Sequence, residues 1–208
     1  MRAPPASGPQ ADSSAPAIPR PASAVVLLRD GKRALELLLV RRNPHAHFAG
    51  GAWVFPGGAV NAQEGSGDRA HRAAALRELR EEAGIDLGDP AALVPFAHWI
   101  TPRQVHTRFD TWFYLAAAPP EAEPRIDRAE VVDCAWFAPR EALTRAQRGE
   151  LFLVFPTVKQ LEQLAAFSSV AAALAHAASR EVVAVEPQVL GSGEAARIVL
   201  PGEVGWEP

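Results

Sequence analysis

The sequence predicts an α/β domain with a mixed β-sheet, on three observations. Apolar runs rich in Val, Leu, Phe and Trp recur at strand length, a single acidic helix stands between the early and late runs, and helix-start signals dominate after the last of them. With 208 residues, 48% of them hydrophobic, the chain can bury a sizeable core in one globular domain with tails.

Residues 1–20 are rich in Pro, Ala and Ser and are expected to form a disordered tail. They have no apolar stretch for secretion and too many prolines for an amphipathic presequence helix. Strands are expected over Ala22 to Arg29 and Ala34 to Arg42, because Asp30-Gly31 between β-type runs is a hairpin signal. Trp53-Val54-Phe55-Pro56-Gly57-Gly58 reads as a short strand entering a glycine turn that allows close backbone approach. A helix then ends at Gly84, and further strands are expected over Ala92 to Thr101, Arg108 to Ala117 and Glu130 to Phe137, with Pro119-Pro120 marking a loop before the last. Pro139 opens a helix over Arg140 to Arg148 that Gly149 ends, Thr157 to Ala166 forms another, and Ser168 or Ser169 caps a third over Val170 to Ser179. Two short β-like runs flank Gly191-Ser192-Gly193 and are compatible with a hairpin, an edge strand or a dimer arm. The expected organisation is therefore a tail (1–20), a domain (21–180) and a C-terminal extension (181–208) whose strands pack on it.

Several classes are disfavoured. A net charge of −3 implies no polyanionic partner, so nucleic-acid binding is not expected. The single cysteine, Cys134, excludes an internal disulfide and reads as a small buried hydrophobe in its strand. No apolar run suits a bilayer, since even Leu161 to Ala178 is interrupted by Glu162, Gln163 and serines, and a cytoplasmic protein is expected. No Gly-x4-Gly-Lys-Ser/Thr loop or His-Glu-x-x-His is present, and Gly65-x-Gly67 lacks a third glycine.

The chemistry concentrates in Arg77-Glu78-Leu79-Arg80-Glu81-Glu82-Ala83-Gly84-Ile85. At about 100° per residue, Glu78, Glu81 and Glu82 share an arc of roughly 100°, expected to face outward, while Leu76, Leu79 and Ala83 form the apolar side. As plain helix design this is unfavourable. Glu78 and Glu82 repel at i,i+4, and Glu81 and Glu82 stand at the negative end of the helix dipole. A solvated acidic face neutralised by Arg77 and Arg80 is one reading. A divalent cation removes the conflict in the other, because a few carboxylates completed by water and substrate phosphate suit Mg²⁺ or Mn²⁺. A carbonyl of the Gly57-Gly58 turn could add a ligand.

Together Gly57-Gly58, Glu64 and residues 77–85 resemble the Nudix box, Gly-x5-Glu-x7-Arg-Glu-apolar-x-Glu-Glu-x-Gly-apolar, of the Nudix hydrolases. The resemblance implies an αβα sandwich with the box as a loop-helix-loop across one end, and Mg²⁺- or Mn²⁺-dependent cleavage of a diphosphate linkage by water. It further implies Glu78 and Glu82 as primary metal ligands, Glu81 as an additional one, Gly57 as a backbone ligand and Arg77 as the brace of Glu78. A later loop carboxylate acts in such enzymes as ligand or base; Glu130, six residues before Trp136, is the candidate, with Glu121, Glu123 and Asp133 as competitors. The chain departs from the pattern in the twelve residues (65–76) between Glu64 and Arg77. An insertion near Gly65-Ser66-Gly67 accommodates them and puts the Glu64 brace to the helix arginine in question.

For the substrate, Leu37-Leu38-Leu39-Val40-Arg41 and Gly51-Ala52-Trp53-Val54-Phe55-Pro56-Gly57-Gly58 are similar to the coenzyme A diphosphatase branch, although Leu39 replaces a threonine and Ala46-His47 stand where an arginine is expected. The longer box, Trp99-Ile100-Thr101-Pro102, Arg108-Phe109-Asp110-Thr111 and Phe155-Pro156-Thr157 resemble the peroxisomal-type acyl-coenzyme A diphosphatases. Arg41, Arg42, His47, Arg103 and Arg108 are the candidate contacts to substrate phosphates. Trp53 and Trp99 are read as core aromatics in preference to base-stacking ones. Other nucleoside diphosphate derivatives, such as ADP-ribose or NADH, are the alternative substrates. A non-catalytic ligand sensor is the remaining class, and dimers are common in the family the chain resembles.

Overall fold

The computed structural model describes residues 16–46, 48–126, 128–191 and 196–206. Its centre is β1 (Arg20–Asp30), buried continuously from Ala22 to Leu28, as expected for a strand covered on both faces. β1 turns back into β2 (Leu35–Arg42) through residues 31–34, a wider connection than the two-residue turn that Asp-Gly suggests. The turn is closed by Gly31 N donating to Ala34 O at 3.0 Å, and the Asp30 carboxylate accepts a hydrogen bond from Val170 N at 2.8 Å, at the start of a later helix.

β1 and β2 pair only near the hairpin, at Leu28↔Leu37 through Asp30↔Leu35, and then part. The gap between them admits residues 53–59. β3 (Trp53–Val54) pairs with β2 and β4 (Gly57–Ala59) pairs with β1. The chain then makes a 3-10 turn at Ala62–Glu64 and enters α1 (Gly67–Ala83). α1 has 17 residues and closes at Gly84, whose φ of 66° is the left-handed cap that glycine adopts without strain. The longer spacing after Glu64 is thus absorbed by extending the helix backward.

β5 (Val94–Ile100) and β6 (Phe109–Ala117) form an antiparallel pair, and β6 runs parallel to β1 over nine residue pairs. β7 (Val131–Phe137) pairs with β2. The main path of the mixed sheet is therefore β3-β2-β1-β6-β5, with β4 and β7 beside it. α2 (Pro139–Gln147), α3 (Phe155–Leu164) and α4 (Val170–Ala178) follow, the last capped by Ser169, whose side chain accepts from Ala172 N.

Alternation along the strands divides the core into two. Val25, Leu27 and Leu38 pack with Ala75, Leu79 and Ala83 of α1 on one face. Ala24, Val26, Leu28 and Leu37 pack with Ala142, Leu161, Leu164 and Ala173 of α2–α4 on the other. Helices on both faces make the αβα sandwich. Cys134 is only half-buried at the edge of the α1-side core, contrary to a fully buried position, because β7 is the outer neighbour of β2.

The C-terminal segment adds β8 (Ala184–Val185) in parallel to the free edge of β5, and β9 (Gln188–Leu190) and β10 (Arg197–Val199) form a separate antiparallel pair. Both a hairpin and an edge strand are therefore present. The tail expected over residues 1–20 lies mostly outside the described residues; Arg20 already belongs to β1. Among the described residues no helix is long and apolar enough to cross a membrane.

Candidate active site

α1 lies across the place where β1 and β2 part, with β4 directly beneath it. Its apolar stripe, Ala75, Leu79 and Ala83, is wholly buried against the sheet. The acidic arc does not all face outward as its periodicity suggested. Glu78 and Glu82 are buried, at 9% and 4% exposure, and only Glu81 reaches the surface. Two glycines make the difference. A Cβ on Gly58 would overlap the Glu78 carboxylate, and Gly57 N donates to Glu82 Oε2 at 2.9 Å. Neither glycine has a positive φ, so what they supply is close approach and not an unusual turn.

Arg77 holds the acidic groups together. Its Nε donates to Glu64 at 2.9 Å, one terminal nitrogen to Glu78 at 2.7 Å and Glu81 at 2.9 Å, and the other to the Ala59 carbonyl at 2.9 Å. Glu64 is therefore not displaced by the longer box. The 3-10 turn holds it, since its other oxygen accepts from Asn61 N at 2.6 Å, and the additional residues go into the first turns of α1.

Burial sets the ionisation of this group. It pushes the Glu82 carboxyl up to about 8; the Gly57 N–H and the charge of Arg42 oppose the rise, while Glu78 and Glu130 reinforce it. The Glu78 carboxyl is also raised, by burial first, with Arg77 opposing and Glu81 and Glu130 adding to the rise. For Arg77, burial disfavours the charge, but contacts with Glu64, Glu78 and Glu81 outweigh it and hold the guanidinium firmly protonated.

Glu78, Glu82 and Glu130 line one end of a cavity of about 450 Å³, with Gly57, Gly58 and Arg42. Arg42 Nε is buried and has no hydrogen-bond partner among the described residues, so the guanidinium stands ready for an anion. The other walls are apolar, with Phe48, Trp99, Phe109 and Phe155 prominent. Volume and character are those of a site for a small organic ligand.

The remaining candidates are placed as follows. Arg41, opposite Asp133 in the β2–β7 register, is exposed and is not part of the cavity wall. Arg103 is exposed and pairs with Glu186 at 3.2 Å. Arg108 is buried at 6% exposure and gives its nitrogens to Thr101 O (3.0 Å), Ala17 O (2.7 Å) and Glu186 (2.7 Å). Neither Arg103 nor Arg108 lines the cavity. His47 lies outside the described residues. Glu121, Glu123 and Asp133 are absent from the cavity wall, whereas Glu130 is on it. Trp53 and Trp99 are core residues in edge-on contact with Phe137 and Phe155, and Trp99 also faces the cavity. No local signal marks Pro187 and Ile198 as cavity walls, because their place depends on where the C-terminal strands dock.

The donor set fits a hard divalent cation. Glu78 and Glu82 are buried acids crowded by each other and by Glu130, a conflict that cation charge relieves. Among the described residues no group of three or more acidic, histidine or cysteine side chains encloses an ion unaided. A cation here would draw the rest of its shell from water, backbone and a ligand's phosphate oxygens, as suits Mg²⁺.

Known proteins resemble this chain in sequence and in fold. A family model described as NUDIX domain matches residues 19–155. A Caenorhabditis elegans protein named "Putative nudix hydrolase 7" is 27% identical in a match covering 68% of this chain and 60% of the relative, so the chain spans less than two thirds of that relative's length. A crystal structure of a NUDIX hydrolase from Alicyclobacillus acidocaldarius superposes with a TM-score of 0.69 at 28% identity, covering 76% of this chain and 96% of that one. The NUDIX domain of Shewanella oneidensis NrtR, solved with ADP ribose, shares the fold at a TM-score of 0.54 and 21% identity, covering 71% and 86% of the two chains.

Proposed function

The chain belongs to the Nudix family, and from that premise we propose that it is a divalent-metal-dependent hydrolase of a diphosphate linkage, with Mg²⁺ or Mn²⁺ as cofactor and coenzyme A or an acyl-coenzyme A as substrate. The observation that carries the proposal is the pair of buried carboxylates, Glu78 and Glu82, set by Gly57-Gly58 and Arg77 at the end of a cavity that also presents Arg42, whose buried Nε has no hydrogen-bond partner among the described residues.

In the reaction, a water oxygen adds to one phosphorus as the bridging P–O bond breaks, leaving two phosphate monoesters and a released proton. Bound divalent cations would neutralise phosphate oxygens and make water a stronger nucleophile. The chain's own residues supply the positions. Glu78 and Glu82 would hold the cation, with Glu81 at the rim and a Gly57 carbonyl as further donors. Arg77 fixes the Glu78 carboxylate through its 2.7 Å contact. Arg42 would bind the phosphate oxygens that face it. Glu130, on the same wall, would accept the proton.

The coenzyme A reading is supported by the Gly51 to Gly58 segment, which resembles that branch, and by a cavity whose apolar part is too extensive for a diphosphate alone. The test is hydrolysis of coenzyme A, an acyl-coenzyme A, ADP-ribose and NADH in parallel with Mg²⁺ and Mn²⁺, with products identified by mass. Leading cleavage of the coenzyme A compounds to a phosphopantetheine product is expected. Preferred cleavage of ADP-ribose or NADH would overturn that specificity, and no cleavage of any would overturn the hydrolase.

A further inference from the structure

The apolar part of the cavity is closed by a segment remote from the box. Pro187, in the link between β8 and β9, and Ile198, in β10, both form its wall. Two contacts among those that hold this segment matter most to the cavity. β8 extends the sheet at the free edge of β5, with His98↔Ala184 and Trp99↔Val185 in register. Immediately after it, the Glu186 carboxylate is gripped by Arg108 at 2.7 Å and Arg103 at 3.2 Å. Arg108 is itself fixed by two backbone carbonyls, Thr101 O and Ala17 O, so Glu186 meets a rigid, buried cation and not a mobile one.

We propose that the C-terminal segment, latched by Glu186 on Arg108, builds a specificity subsite in which Ile198 and Pro187 bound the apolar arm of the diphosphate substrate held at the acidic end. Three observations carry the occupant. The subsite is continuous with the Glu78, Glu82 and Arg42 end, so a ligand seated there projects its other half into it. Its walls are largely carbon, from Phe48, Phe109, Phe155 and Ile198, with Arg20 and Thr111 among the polar side chains beside them. The hydroxyl of Thr101 is already engaged with the backbone of Phe109. The surface is mostly apolar, and an alkyl or aryl arm needs only such area to bury. Each methylene taken from water into such a site strengthens binding about fourfold. Glu186 and Arg108 touch no substrate in this arrangement; they are positioning residues.

This inference rests on the diphosphatase reading, and its test separates the two. kcat/KM is measured for coenzyme A and its acetyl, butanoyl, hexanoyl and octanoyl thioesters in the wild type, Ile198→Trp and Glu186→Gln. In parallel, each protein is titrated with Nile red, a neutral apolar dye whose fluorescence reports the subsite without catalysis. The wild type should gain about tenfold or more along the series, through KM. Ile198→Trp should end the gain at a shorter chain and weaken dye binding at least fivefold. Glu186→Gln should raise KM for the longer thioesters with kcat unchanged. Loss of dye binding in Ile198→Trp with no hydrolysis of any thioester would leave the subsite standing and overturn only the substrate. Equal dye binding in the wild type and Ile198→Trp, or a chain-length series identical in the two, would overturn the subsite.

Discussion

The raised Glu82 carboxyl makes stability of the metal-free protein depend on pH in a direction opposite to that of most buried carboxylate contacts. Glu82 titrates near 8 in the fold against an ordinary value of 4.5, so the unfolded chain gives up this proton first. Between those two values stability falls as pH rises, because the folded state binds the additional proton; above about 8 the loss is complete. At about 1.4 kcal/mol per pH unit, the interval corresponds to on the order of 5 kcal/mol. Glu82→Gln removes the titration and retains an oxygen for the Gly57 N–H. The substitution should therefore be nearly neutral at pH 4.5 and stabilising at pH 9, by on the order of 10 °C in Tm for a domain of this size. The assay is thermal denaturation of wild type and variant in chelator across pH 4.5–9, repeated with Mg²⁺, which should restore wild-type stability and leave the variant less affected. If the two proteins kept a constant difference in Tm across that range, burial of a protonated Glu82 would be refuted, along with the reason for expecting a cation beside it.

Other outcomes follow from the same geometry. Glu82→Gln should lower turnover about a hundredfold or more even at saturating Mg²⁺ with the fold intact, measured by steady-state kinetics beside circular dichroism. Gly58→Ala forces a methyl group into the Glu78 carboxylate, so the Mg²⁺ concentration for half-maximal activity should rise about tenfold or more; an unchanged Mg²⁺ dependence would remove the close approach from the argument. Arg42→Ala deletes a charged donor to phosphate and should cost about 1.5–3 kcal/mol in substrate binding, seen as a KM roughly 10- to 100-fold higher with a smaller change in kcat. Glu130→Gln should lower kcat about a hundredfold with KM little changed, and an unchanged kcat would take Glu130 out of the proton-accepting role.

Much of the fold follows from local signals. Strand-length apolar runs, the helix starts at Pro139 and Ser169 and the stop at Gly84 need only short-range chemistry, and each has its counterpart in the structure. The hairpin at Asp30 is an instructive exception. Its local signal is a two-residue turn, yet the strands close over residues 31–34, and the Asp30 carboxylate serves α4, 140 residues away. The site divides similarly. Spacing places Glu78 and Glu82 on one helical stripe, but which way the stripe faces depends on a strand that brings two glycines against it. Arg103 and Arg108 show the limit from the other side. Their charge suggests phosphate contacts, while Glu186, far along the chain, engages both.

The amino-acid sequence by itself determined the α/β class, the order of its strands and helices, and the acidic helix with its arginine and terminal glycine, because these rest on periodicity, capping and residue spacing within one or two turns of chain. The tertiary structure alone decided that Glu64 reaches Arg77 across a lengthened box, that two of three acids are buried and the third exposed, and that the C-terminal strands complete the cavity wall. These outcomes arise where segments distant in the chain exclude water from one another, and burial, the quantity that sets both the Glu82 ionisation and the shape of the cavity, is a property of the assembled fold.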